Sequence, residues 1–518
     1  MKKPVLLVIL DGWGIGRPDF TNPVHIAKPR NINFIKSNYL STALQASGIA
    51  VGLPWDEEGN SEVGHLTLGA GRTIYQHYPK ITLSIQKGDF FKNKVLVDTM
   101  QRAKDNNAAV NLIGLLTEGN VHASIDHIRA LMKLAASLNV SKLNLHLFTD
   151  GKDSDRRSAL KLLKKIQDFI TESKVGIIAS LVGRAYGLDR DENWGRTQKA
   201  YQALTGQAPM IENFQDAITA YYHKGLTDEF IDPMVIGPDP RPISENDSVI
   251  FFDFREDSMR QIVSAFIQKD FDRFPIKNFA NLGIVTMTSY SDKFKIPVAF
   301  PNENIENSLG QVLADNKLIQ LRLAETEKYA HVTYFFNGYR EQPFTNEFRI
   351  LIPSQRVGRY DDAPEMMAKE ISARLTDSIT EKNFDFILAN FANPDMIAHT
   401  GNFDAALQAV LAVDVEIGKL INICLENDVL LIITSDHGNI EEMLDPYTGQ
   451  VETQHDPNPV PFYLVGKNFK RPKSEAEINL IESQPTGILS DVAPTILELM
   501  NITKPAAMTG QSLLKNLK

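Results

Sequence analysis

Val429-Leu-Leu-Ile-Ile-Thr434, with the Ser435-Asp436-His437-Gly438-Asn439 that comes after it, decides how this sequence folds. A run of apolar and β-branched residues with no polar break reads as a strand buried on both faces, the kind found in a sheet covered by helices. The segment before it, Asp404-Ala-Ala-Leu-Gln-Ala-Val-Leu-Ala-Val-Asp-Val-Glu-Ile-Gly-Lys-Leu420, has helical spacing. The same alternation extends outward. Pro4-Val-Leu-Leu-Val-Ile-Leu10, Val110-Asn-Leu-Ile-Gly-Leu-Leu116, Val175-Gly-Ile-Ile-Ala-Ser-Leu-Val182 and Phe384-Asp-Phe-Ile-Leu-Ala-Asn-Phe391 read as strands, and Asp126–Ser137 reads as a helix. Strand and helix in alternation predict an α/β fold. Breaker clusters at Tyr75-Gln-His-Tyr-Pro79 and at Pro297-Val-Ala-Phe-Pro-Asn-Glu-Asn304 mark joints around a middle block that can fold separately.

A chain of 518 residues exceeds one small module, and 43% hydrophobic with 23% charged residues excludes a disordered chain. The net charge of −10 disfavours nucleic acid and anionic membranes as partners. The single cysteine, Cys424, excludes an intramolecular disulfide, a thiolate zinc site and an iron–sulfur cluster; it reads as a small core residue on the apolar face of its helix. No apolar stretch approaches the roughly 20 residues of a membrane span. The N-terminal apolar run meets Asp11-Gly-Trp-Gly at once, without a small-residue cleavage site. The expected location is cytoplasmic.

Three C-terminal clusters combine histidine with carboxylate: Asn393-Pro-Asp395-Met-Ile-Ala-His399, Ser435-Asp436-His437-Gly438-Asn439 and Gln454-His455-Asp456-Pro457. One helical turn would put Asp395 and His399 on one face. Asp436 and His437 diverge in a regular strand, so both can meet one ion only where the backbone has left strand geometry. Each histidine alone reads as a hydrogen-bonded loop residue; three clusters together favour a metal centre, and imidazole with carboxylate suits manganese, cobalt or zinc better than calcium. Asp11 reads either as a ligand or as the cap of its own turn. Its glycines lack the Gly-x-Gly-x-x-Gly spacing, which excludes a dinucleotide loop. Ser61, in Gly59-Asn-Ser-Glu-Val-Gly-His-Leu66, reads either as a helix cap or as a nucleophile at a helix N-terminus.

Gly59–Leu66, Ala324-Glu-Thr-Glu-Lys-Tyr-Ala-His-Val-Thr333, Asn390-Phe-Ala-Asn-Pro-Asp-Met396 and Asp491-Val-Ala-Pro-Thr-Ile-Leu-Glu-Leu499 together resemble the cofactor-independent phosphoglycerate mutases of the alkaline phosphatase superfamily, nearly end to end. The resemblance implies two α/β domains. An alkaline-phosphatase-like metal-binding domain comes from both chain ends, 1–76 and 304–518, and a phosphotransferase domain, 80–297, is inserted between hinge linkers at 77–79 and 298–303. It implies two Mn2+ ions per chain, one on Asp11, Ser61, Asp436 and His437 and the other on Asp395, His399 and His455. Ser61 would be the nucleophile. His122, Lys152, Asp153, Arg184, Arg190, Arg255 and Lys328 would hold the substrate. The implied reaction interconverts 3- and 2-phosphoglycerate through phosphoserine, without 2,3-bisphosphoglycerate, in a monomer whose inserted domain closes to exclude water.

The chain departs from the family pattern at Lys152 and Ser258, where arginine is usual, and at Ala123-Ser124 after His122. Arg260 is a nearby substitute, and restoring both arginines is expected to tighten substrate binding. Two alternatives are a phosphohydrolase of the same superfamily acting on another phosphate ester, which phosphate release would reveal, and a metal-binding regulatory protein with a disabled site, against which intact Ser61 argues.

Overall fold

The computed structural model describes residues 3–517. The chain divides into two compact units, one formed by residues up to Gln76 together with those from Glu303 onward, the other by His77–Asn302.

The first unit is built on an eight-stranded sheet. Its strands lie in the order Glu347–Ile352, Gln320–Glu325, Phe386–Phe391, Val5–Leu10, Leu430–Thr434, Val460–Val465, Leu40–Gln45 and Gly487–Ile488. Only Val460–Val465 runs antiparallel to its neighbours. Val5–Leu10 lies at the centre, with side chains alternating between two cores: Leu6, Val8 and Leu10 pack into one, Val5, Leu7 and Ile9 into the other. That is why the run carries no polar residue. Leu10 pairs with Phe391 and Ile9 with Thr434, so three parallel strands end together. The residues just beyond their carboxyl ends, Asp11, Asn393–Asp395 and Ser435–His437, are thereby delivered to one edge.

Helix Phe403–Asn427 covers one face. The Asn402 side chain caps its start by accepting from the Ala405 N–H at 3.2 Å, and Asp428 ends it in the left-handed region. Ala406, Val410, Val413, Ile417, Leu420 and Cys424 form its buried stripe, each Leu or Ile stabilising the fold by about 1.5–3 kcal/mol.

The second unit has a seven-stranded sheet in the order Met210–Ile211, Met234–Ile236, Ile177–Gly183, Leu143–Thr149, Val110–Leu116, Ser248–Phe251 and Gly283–Thr286. Its central strands are parallel. Their carboxyl ends release Thr117, Asp150, Arg184 and Phe252-Asp253 along one edge. Residues 77–79, expected as linker, instead form the first turn of helix His77–Lys87. Pro79 fits there because first-turn N–H groups have no intrahelical partner to lose. Among the described residues, no helix is long and apolar enough to cross a membrane.

Candidate active site

Two readings were open for Ser61, and the helix start separates them. Asn60 is the cap of helix Ser61–Ala70, its side chain accepting from the Val63 N–H at 3.0 Å. Ser61 is the first helical residue, and its hydroxyl is spared for other partners. Its Oγ lies 3.0 Å from Asp11 Oδ1, 3.0 Å from His437 Nε2 and 2.7 Å from Lys328 Nζ. Gly64 allows this helix to come close: a Cβ there would meet the Asp436 carbonyl oxygen at 2.5 Å.

Asp11 does not cap its own turn. The Gly12 N–H donates to Asp436 Oδ1 and the Trp13 N–H to Ser435 Oγ, which leaves the Asp11 carboxylate to accept from Ser61, Lys328 and Asn390 Nδ2. Gly12, at φ +67°, turns the chain where a Cβ would strike Asp395. Lys328, in the single turn Thr326–Lys328 after strand Gln320–Glu325, reaches Asp11 Oδ1 and Asp395 Oδ2, both at 2.6 Å. Burial alone would raise the Asp11 and Asp395 pKa values, but the Lys328 ammonium together with the neighbouring histidines, His437 at Asp11 and His399, His455 and His437 at Asp395, outweighs it and holds both below the usual carboxylate range. Burial would lower the His437 pKa; Asp436, Asp11 and Asp395 push it up to about 10 instead.

The backbone leaves strand geometry after Thr434, so Asp436 and His437 both enter the site. Asp395 and His399 meet across one helical turn, Oδ1 to Nε2 at 3.2 Å, and His455 Nε2 lies 3.4 Å from the same oxygen. Backbone carbonyls orient all three imidazoles. Nδ1 of His399 faces the Thr453 carbonyl, that of His455 the Gly59 carbonyl and that of His437 the Gly438 carbonyl. A donating Nδ1–H points Nε2 inward, so that this nitrogen can ligate a metal once it has given up any proton it carries.

Three side-chain groups present donor atoms within 4.8 Å of one another, close enough to hold a metal: Asp395, His399 and His455; Asp11, His65 and Asp436; Asp11, Asp395 and His437. Asp436 Oδ2 is buried with no hydrogen-bond partner among the described residues, and a cation would satisfy it. This donor chemistry fits a divalent transition metal. Sequence reasoning passed over His65, whose Nδ1 is 3.1 Å from Asp436 Oδ2 and 2.8 Å from the Ser61 carbonyl. Its signal was available, four residues after Ser61 on one helix face. Asn390, Asn439 and Glu441 were also missed. Asn439 Nδ2 donates to Asp395 Oδ1, while Glu441 Oε2 accepts from the Gly14 and Asn439 N–H groups, tying the Asp11 turn to the His437 loop.

The second unit gathers a separate polar cluster. Arg184 donates from Nη1 to Asp150 Oδ1 at 2.6 Å, lies 2.8 Å from Asp153 Oδ2, and donates from Nη2 to His122 Nε2 at 2.8 Å. His122 Nδ1 is 3.0 Å from Ser258 Oγ. Since Arg184 donates to Nε2, the His122 proton sits on Nδ1, and burial together with Arg184 lowers its pKa to about 4. Arg190 and Arg255 are more exposed and both pair with Asp257. Lys152 is exposed, contributing its backbone N–H to Asp150. Ser258 is 1% exposed, so an arginine there would have to displace packed neighbours, and Arg260 donates from Nε to the Tyr290 carbonyl.

A family model described as the Metalloenzyme superfamily matches residues 3–504. The 2,3-bisphosphoglycerate-independent phosphoglycerate mutase of Clostridioides difficile (strain 630) is 46% identical, covering 99% of each chain. The protein named 2,3-bisphosphoglycerate-independent phosphoglycerate mutase 1 of Methanosarcina barkeri (strain Fusaro / DSM 804) is 44% identical over 99% of this chain and 98% of its own. Among solved structures, phosphoglycerate mutase of Leishmania mexicana at low cobalt concentration aligns with a TM-score of 0.52 and 26% identity, over 99% of this chain and 97% of that one.

Proposed function

Because this chain belongs to the family of 2,3-bisphosphoglycerate-independent phosphoglycerate mutases, we propose that it interconverts 3-phosphoglycerate and 2-phosphoglycerate, an isomerase acting by internal phosphoryl transfer. Residues 1–76 and 304–518 are the phosphatase-like, metal-binding part; residues 80–297 are the phosphotransferase part. Asp11, Ser61, Asp436 and His437 would hold one Mn2+, and Asp395, His399 and His455 the other. Bound there, the ions supply Lewis-acid charge that favours the serine alkoxide and offsets the charge of the transferring group.

The observation that carries the reading is the setting of Ser61 Oγ, a helix-start hydroxyl 7% exposed among Asp11, His437 and Lys328. Ser61 attacks phosphorus, forming the Oγ–P bond as the bond to the glycerate oxygen breaks. The Ser61 and Glu62 N–H groups, in the first turn of the helix, would be available to the phosphoryl oxygens, with a dipole contribution of about 0.3–1 kcal/mol. Lys328 Nζ holds Oγ in place and adds positive charge beside it. His122, Asp153, Arg184, Arg190 and Arg255, with Lys152, bind the anionic groups of the glycerate, and neutral His122 accepts from Arg184. The glycerate then turns, and its other hydroxyl oxygen takes the phosphoryl group back from Ser61.

The test is 31P NMR of Mn2+-loaded protein with 3-phosphoglycerate and no 2,3-bisphosphoglycerate. The 2-phosphoglycerate resonance should grow without free phosphate, and Ser61→Ala should abolish it while leaving the circular dichroism unchanged. Phosphate release in place of isomer, or isomer formation by Ser61→Ala, overturns the proposal.

A further inference from the structure

Asp253 takes no part in that phosphoryl transfer, yet it is released at the same sheet edge as the Arg184 cluster. It comes after strand Ser248–Phe251 and is 0% exposed. Its Oδ1 accepts one hydrogen bond, from the Leu115 N–H at 2.8 Å, and its Oδ2 has no hydrogen-bond partner among the described residues. Gly114 on the adjoining strand makes the room, since a Cβ there would lie 2.3 Å from Asp253 Oδ1.

The charges facing Asp253 come from several elements. Asp150 and Asp153 come after strand Leu143–Thr149, and Arg184 after strand Ile177–Gly183. Tyr290 donates its hydroxyl to the Asp253 carbonyl at 2.5 Å, and burial raises the Tyr290 pKa, keeping it neutral. Strand Val110–Leu116 contributes only its backbone N–H, and His122 is neutral. Arg184 is the leading cation acting on Asp253 among the described residues, and Asp150 and Asp153 already contact it. One guanidinium already faces two carboxylates here, so a third would add to a net negative charge while buried with a single hydrogen bond, which a carboxylate avoids by keeping its proton.

We propose that Asp253 is a positioning residue for substrate, held as a neutral acid so that Arg184 keeps its capacity for the substrate's anionic groups, and that its ionisation weakens substrate binding. This rests on the phosphoglycerate reading of the Arg184 cluster. Burial pushes the Asp253 pKa up to about 8, which places the loss at mildly alkaline pH. One unit above such a pKa only about a tenth of the molecules keep the proton, so KM for 3-phosphoglycerate should rise about tenfold.

Two readouts test this, each comparing the parent with Asp253→Asn, which keeps the acceptor for Leu115 and replaces the acid proton by an amide. The first is the parent-minus-variant infrared difference at pH 7, where a protonated-carboxyl stretch should appear and then fade as pH passes 8. The second is KM for 3-phosphoglycerate between pH 7 and 9, which should climb about tenfold in the parent alone, while any change in kcat is shared. Absence of the carboxyl stretch, or the same climb in both proteins, overturns the inference. A parent without mutase activity at any pH overturns the phosphoglycerate reading and the substrate half of this inference with it; the infrared band still decides the proton.

Discussion

Lys328→Met keeps the length and apolar stem of the side chain and deletes one charge from a buried carboxylate cluster. Lys328 Nζ is 2.6 Å from both Asp11 Oδ1 and Asp395 Oδ2, with side-chain exposures of 5%, 0% and 3%. Removing one member of so buried a group strands the other members, at about 3–5 kcal/mol. In protein stripped of metal by chelation, urea unfolding should show a loss of that order. The ammonium also competes with any cation for these oxygens, so Mn2+ affinity measured by calorimetric titration should rise in the variant. Added metal should then recover more stability in the variant than in the parent, a site filled at a hundred times its dissociation constant contributing about 2.7 kcal/mol. Activity should nevertheless fall, because Ser61 Oγ loses its 2.7 Å partner. A metal-free variant less than about 1 kcal/mol weaker than the parent, with unchanged Mn2+ affinity, would refute the view of Lys328 as the counter-charge of these carboxylates.

The same geometry sets three further outcomes. Ser258→Arg should raise KM for 3-phosphoglycerate and destabilise by about 1–3 kcal/mol through overpacking, whereas Lys152→Arg, at an exposed position, should lower KM; steady-state kinetics with a melting curve checks both. The hydrogen bond to Asp395 outweighs burial and raises the His399 pKa, so below that raised value a proton occupies the nitrogen that a metal needs. Mn2+ affinity should therefore weaken as pH drops from 8 to 6, and equal affinity at both would count against histidine ligation. Burial pushes the Cys424 thiol up, so it should resist maleimide in the folded protein and react fully in urea.

Much of the site was legible because its residue types are chemically distinctive and sit beside apolar runs. Histidine near carboxylate just after a strand, as at Asp436-His437, carries its meaning in a few residues. Ser61 was harder, since a serine at a helix start has an ordinary use; Asn60 takes that use, and only the Asn60 to Val63 contact shows it. Glu441 and Asn439 were illegible because their roles are hydrogen bonds to partners brought by other strands. Strands such as Leu40–Gln45 and Glu347–Ile352 were passed over because positions at or next to a sheet edge tolerate the polar residues that blur a buried run. The burial of Ser258 and its contact with His122 were equally illegible, since both depend on partners brought by other strands.

Read alone, the sequence determines the α/β class, the central strands and the histidine–carboxylate clusters, since each depends on periodicity or functional groups close along the chain. Tertiary structure decides which of these groups meet. Asp11 lies beside Asp395 and Asp436 because Val5–Leu10 runs in parallel register between Phe386–Phe391 and Leu430–Thr434, and strands in register release their next residues at one edge. The same rule gathers Asp150, Arg184 and Asp253 in the second unit. Protonation is decided there too: the pKa values of Asp11 and Asp253 depend on charges dozens to hundreds of residues away, which no local pattern encodes.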